Sequence, residues 1–192
     1  MERKSNARLL VLLTFIAVVI GLRMVAPLSS DFSMLANFTG IGAVAIFSGS
    51  YFRNKFAAYL LPMLVLLLSD LGLAVVMGKN WAFYTGWYYT YIAFALMVLV
   101  GQLLVKKVTI GNVFAASLVG VFIHWIISDF GVWFGSTFYP QTLAGFWACL
   151  VAAIPFELKF LYGTLIYGVI MFVGFEALKA KFPSLKYSSA IA

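Results

Sequence analysis

Long apolar runs separated by short basic clusters divide the chain, at residues 9–25, 34–50, 56–77, 85–105, 109–134 and 158–178. A helix needs roughly twenty predominantly apolar residues to cross a hydrocarbon core, and these runs approach or exceed that length. The pattern predicts an all-α integral membrane protein, a bundle of six transmembrane helices forming a single transmembrane domain over residues 1–192. Composition fits that reading: 64% of the residues are hydrophobic and 10% charged, where a soluble domain typically carries about 25% charged residues.

Two stretches need separate treatment. The basic start (Arg3, Lys4, Arg8) and the following apolar run resemble a signal peptide, but the tempting cleavage point after Ala26 is followed by Pro27, so an uncleaved first helix is expected. Residues 142–154 (TLAGFWACLVAAI) are apolar yet number only about thirteen, too few to span. They are expected to form a short re-entrant or interfacial helix within a cap at about 136–157, with Glu157 and Lys159 paired at its rim.

Loops rich in Lys and Arg stay in the cytoplasm. Six spans put Arg3, Lys4, Arg8, Arg53, Lys55, Lys106, Lys107, Lys179, Lys181 and Lys186 on one side and leave only Arg23, Lys79 and Lys159 on the other. A full crossing by 142–154 would move the C-terminal lysines to the poorer side. The expected location is therefore a bacterial cytoplasmic (inner) membrane, multi-pass, with both termini cytoplasmic. The net charge of +7 is a topology signal; its clusters form no continuous polar face for nucleic acid. The second span is rich in small and polar residues, Asn37, Thr39, Gly40, Gly42, Ser48, Gly49 and Ser50, and is expected to pack inside the bundle.

Ionisable groups within a membrane are costly and mark function. Asp70, His124 and Asp129 fall roughly 10, 15 and 8 Å from the outer ends of their helices at 1.5 Å per residue, and Asn37 and Thr39 begin at the same level. The string HWIISDFGVW sets His124 four residues before Ser128, and Trp125, Asp129 and Trp133 at successive four-residue steps. Such stripes suit a pocket wall offering apolar contact and a few polar groups; they also suit plain interhelical hydrogen bonding, with His124 or Ser128 reaching Asp70. Trp81, Trp87, Trp125, Trp133 and Trp147 all fall in the outer half or outer loops, as an interfacial belt or an aromatic-lined cavity would require. The candidate binding residues are Asn37, Thr39, Asp70, His124, Trp125, Ser128, Asp129, Trp133 and Trp147.

GxSxG, HExxH and a phosphate-binding glycine loop are all missing, so no enzyme is expected. Cys149 is the only cysteine, which excludes an internal disulfide and a thiolate metal cluster. A His–carboxylate metal site is weakly specified by this spacing, and neither a metal nor a cofactor is expected.

The runs NFTGIGAVAIFSGSYF (37–52), LLPMLVLLLSDLGL (60–73), SDFGVWF (128–134) and YPQTLAGFWACLVAAIPF (139–156) resemble a family of small uncharacterised bacterial membrane proteins. Its size and helix plan look like the substrate-binding S components of energy-coupling-factor vitamin transporters. The resemblance implies an outward-opening pocket for a vitamin-like small molecule, a lipid-embedded bundle, and docking to a coupling subunit and ATPases. The small-residue docking motif of such components is matched here only by Ala17 and Gly21. The expected function is thus a substrate-binding membrane subunit for uptake. A proton-coupled small-molecule carrier using Asp70, His124 and Asp129, and a structural membrane assembly factor, are the alternatives.

Overall fold

The computed structural model describes residues 39–185, together with 10–14, 17, 18 and 21 of the first apolar run. Every regular element in that range is helical: α1 (Ile41–Tyr51), α2 (Lys55–Met77), the single turn α3 (Lys79–Ala82), α4 (Trp87–Leu104), α5 (Ile110–Trp133) and α6 (Leu143–Lys181), closed by a 3-10 turn at Pro183–Leu185.

Local chemistry sets the boundaries. Asn54, Thr109 and Thr142 accept hydrogen bonds from the backbone N–H groups of Ala57, Asn112 and Gly145, each satisfying one orphan donor of a helix start. Gly86, at φ +88°, makes the left-handed step into α4 that a side chain would resist. It also lies against the backbone of Gly131 so closely that a Cβ there would collide with the Gly131 carbonyl.

The helices α2, α4, α5 and α6 pack in that order around α1. Nearly every residue of α1 is buried, because its small residues let neighbours approach at backbone distance. A Cβ on Gly49 would strike the Val98 carbonyl of α4, one on Gly101 of α4 would strike the Ile46 carbonyl of α1, and one on Gly42 would strike Thr164 and Phe160 of α6. Below this crossing, Phe47 and Tyr51 pack edge-on against Phe172 and Phe175 of α6. Leu12, from the first apolar run, joins the same core. The outer faces carry exposed Leu68, Val75, Phe122 and Val169, a surface suited to lipid and costly in water.

Four described helices are long and apolar enough to cross a membrane: α2 over Lys55–Val75, α4, α5 and α6. At 11 residues, α1 reaches only about 16 Å, half of a hydrocarbon core of roughly 30 Å. Most of the expected span at 9–25, and residues 34–38 of the expected span at 34–50, lie outside the described residues. The expectation of six crossings thus reduces here to four candidate spans and one short buried helix.

The cap differs outright. Residues 142–154 are not a separate re-entrant or interfacial element; they open α6, which runs unbroken for 39 residues. Pro155 sits inside this helix. Proline removes one backbone donor, but membrane helices tolerate it where neighbouring groups compensate. What remains of the cap is the connection at 134–142. There Gln141 donates from its amide nitrogen to the carbonyls of Trp133, Ser136 and Tyr139 and accepts from the Gly135 N–H.

Candidate functional site

At one end of the bundle lie the 78–86 and 134–142 connections; at the other lie 52–54, 105–109 and the end of α6. The polar groups gather toward the first, here called the Tyr84 end. Since Gly42 packs on Phe160 and Thr164, α1 begins at mid-depth. Asp70 of α2, His124 and Asp129 of α5 and Glu157 of α6 lie at or above that level.

His124 and Glu157 form the deepest pair. Nδ1 of His124 lies 3.2 Å from both carboxylate oxygens of Glu157, and the two side chains are 12% and 14% exposed. The imidazole is held between the rings of Phe94 and Phe160, at centroid distances of 5.0 and 4.5 Å. With Glu157 ionised, Nδ1 is the protonated nitrogen, since a carboxylate can only accept. The apolar walls strengthen this bond relative to water.

Nearer the end, the Tyr91 hydroxyl of α4 donates to Asp70 Oδ2 of α2 at 2.9 Å. Tyr84, in the connection before α4, shares a 2.8 Å hydrogen bond with Thr90. Burial pushes the Tyr84 phenol above its ordinary value; the Thr90 bond opposes this, and the charges of Asp129 and Asp70 add to the rise. Tyr84 is thus within electrostatic reach of acids from both α2 and α5, and Asp129 is within reach of Glu157.

Asp129 itself is 8% exposed. Its backbone carbonyl accepts a weak bond from the buried Cys149 thiol at 3.7 Å, while its side-chain Oδ2 is buried without a hydrogen-bond partner. Buried carboxylate oxygens are almost always satisfied, and leaving one bare costs on the order of 1–3 kcal/mol or more.

The other expected site residues have different duties. Ser128 donates to the His124 carbonyl one turn back at 2.7 Å, a bond within its own helix that does not reach Asp70. Trp125 donates its indole N–H to the Leu150 carbonyl at 3.0 Å, and Trp133 donates to the Pro140 carbonyl at 2.8 Å. Both tryptophans fasten α5 to the start of α6 or to the turn before it. Trp147 points outward, 63% exposed. Thr39 accepts from the Ile41 N–H at the start of α1, and Asn37 lies outside the described residues. Asp70 and Asp129 thus lie within electrostatic reach of Tyr84, His124 pairs with Glu157 deeper in the bundle, and Trp125 and Trp133 tie α5 to α6 and to the turn before it.

Tyr84 and Tyr91 are not among the sequence candidates, and Glu157 enters there only as a rim partner of Lys159. Instead it turns inward to His124 and Lys159 is exposed, because residues two apart on a helix do not face each other. A groove of about 320 Å³ runs between α5 and α6, with Val121, Phe122, Trp125, Ile154 and Leu161 in its wall and Glu157 as its charged member. Among the described residues no three His, Cys, Asp or Glu side chains converge to hold a metal ion.

The family model described as "Family of unknown function (DUF6580)" matches residues 3–185. The chain belongs to this family. No curated protein and no solved structure matches the chain. Membership in DUF6580 brings no chemistry with it, so the side chains above carry any functional reading.

Proposed function

We propose that the chain is a substrate-binding membrane subunit for uptake of a vitamin-like small molecule, comparable with the S components of energy-coupling-factor transporters. The observation that carries this reading is the buried Asp129 carboxylate with a bare Oδ2, set among Tyr84, Asp70 and Glu157. A ligand-binding site combines an apolar body with a few convergent polar groups, and intramembrane acids mark such sites. Arg53, Lys55, Lys106, Lys107, Lys179 and Lys181 lie at the end opposite Tyr84, which supports a cytoplasmic position for that end in a bacterial inner membrane. The binding level then faces outward, both termini are cytoplasmic, and a coupling subunit with ATPases supplies the energy from the basic side. The sequence carries no nucleotide-binding motif of its own.

Native mass spectrometry of gently solubilised protein, followed by denaturing release, tests this reading. A stoichiometric small molecule other than lipid is expected, and its yield should collapse in Asp129→Ala. Protein that stays empty after challenge with a panel of vitamins would remove the reading.

The His124–Glu157 pair favours a second reading, a proton-coupled carrier, because a histidine and a carboxylate in contact within a membrane suit a proton relay. Purified protein alone in vesicles would then move substrate under an imposed pH gradient, and Glu157→Gln would abolish the movement.

A further inference from the structure

We infer that the ligand carries a positive charge and that the Asp129 carboxylate is its counter-ion. This rests on the ligand-binding reading above and assigns that ligand a class, a small organic cation bearing an ammonium or equivalent group.

Between Lys55 and Lys79 there is no basic side chain on α2; α1, α4 and α5 have no Lys or Arg, and α6 has none before the exposed Lys159. Against this, Asp70, Asp129 and Glu157 are acids at the same end of the bundle, with His124 the one titratable base among them. At the depth of these acids the described helices offer an anionic ligand carboxylates and no Lys or Arg, an arrangement that repels it.

Partner assignments then isolate one acid. Glu157 is matched by His124 at 3.2 Å, and Asp70 accepts the Tyr91 hydroxyl at 2.9 Å. Asp129, more than nine-tenths buried, keeps Oδ2 without a partner. Tyr84 lies within electrostatic reach of Asp129 and of Asp70. An oxygen in that position is stabilised by a cation arriving with the ligand, since burying an unmatched charge is otherwise strongly unfavourable.

The aromatic setting narrows the cation. Tyr91, bonded to Asp70, packs edge-on to Trp87 at 5.0 Å, and Trp87 in turn meets Phe83 at 5.3 Å. Alkylammonium groups are held by such faces through cation–π attraction as well as by carboxylates. A strongly hydrated inorganic ion gains less from aromatic walls.

The test uses the full chain in detergent and three probes of matched size: benzyltrimethylammonium, its uncharged carbon isostere neopentylbenzene, and benzenesulfonate. Dissociation constants are measured by calorimetry. Benzyltrimethylammonium should bind at least tenfold more tightly than neopentylbenzene, and Asp129→Asn should remove that preference while leaving helix content and monodispersity unchanged. Equal affinities in the wild-type chain, which need no variant, overturn the inference. So do preferential binding of benzenesulfonate, absence of cation binding, and a cation preference that survives in Asp129→Asn. Releasing the resident molecule by native mass spectrometry separates the two levels. A neutral or anionic resident overturns the cationic class and leaves the binding-subunit reading intact; an empty protein that also ignores every probe overturns both.

Discussion

Asp129 and Glu157 lie on α5 and α6 within electrostatic reach of one another; Glu157 is matched by His124, whereas Asp129 Oδ2 is bare. Replacing Asp129 with Asn keeps the shape and removes a poorly satisfied charge. Asp129→Asn is therefore expected to raise the thermal stability of ligand-free protein, by on the order of 1–3 kcal/mol, read by differential scanning fluorimetry in detergent; a drop would mean that the carboxylate is satisfied after all. Glu157 behaves oppositely, because its removal strands the imidazole between Phe94 and Phe160. A double-mutant cycle on His124→Ala and Glu157→Ala should give a coupling of roughly 0.5–3 kcal/mol, and a value near zero would mean the pair contributes nothing. The stripe on α5 was legible because His124, Asp129 and their neighbours lie within one short string. Glu157 was hidden by distance: 33 residues separate it from His124, and Lys159 offered a closer but wrongly facing partner. The role of the tryptophans was not legible for a different reason, since an indole bonded to a carbonyl and an indole facing a ligand look identical in sequence.

Among the elements, α1 and α6 depart most from what apolar length alone suggests. The burial of α1 could be anticipated from its glycines and serines, and the backbone contacts at Gly49 and Gly101 explain why. Gly49→Ala should destabilise the bundle by roughly 1–3 kcal/mol through overpacking against Val98. Gly111→Ala, whose added Cβ meets nothing within 4 Å, should be neutral or stabilising by up to about 1 kcal/mol. Thermal unfolding of both variants gives the comparison, and equal effects would argue against the α1–α4 contact. For α6, a length threshold separated 142–154 from 158–178. Length is a weak criterion where helix continues through a proline and the intervening Phe156, Glu157 and Leu158 keep its register. Spin labels at the exposed positions Trp147 and Val173 should stand about 39 Å apart at 1.5 Å per residue. A markedly shorter distance would restore a folded-back segment.

For the molecule as a whole, the basic residues at the Arg53 end and the acids toward the Tyr84 end make a chain with opposite electrical faces. Singly labelled variants in intact cells should report this as sidedness. Lys107→Cys is expected to be protected from an impermeant thiol reagent and Phe138→Cys to react, with Cys149 silent because it is buried; the reverse pattern would invert the bundle. Helices long and apolar enough to cross a membrane were readable from composition and spacing. Their correspondence with the apolar runs was less so, because a short helix surrounded by others and a long helix that joins two runs both break the one-run, one-span rule.

The length of α6 has a mechanical meaning. A rod of 39 residues measures about 58 Å, nearly twice the roughly 30 Å thickness of a hydrocarbon core, so in a bilayer it would project well beyond the core or lean steeply. Glu157 lies about a third of the way along it, leaving a long arm toward Lys181. A few degrees of tilt set by what binds beside Glu157 would sweep the Lys181 tip sideways by an ångström or more, as an oar blade answers to the hand across the gunwale.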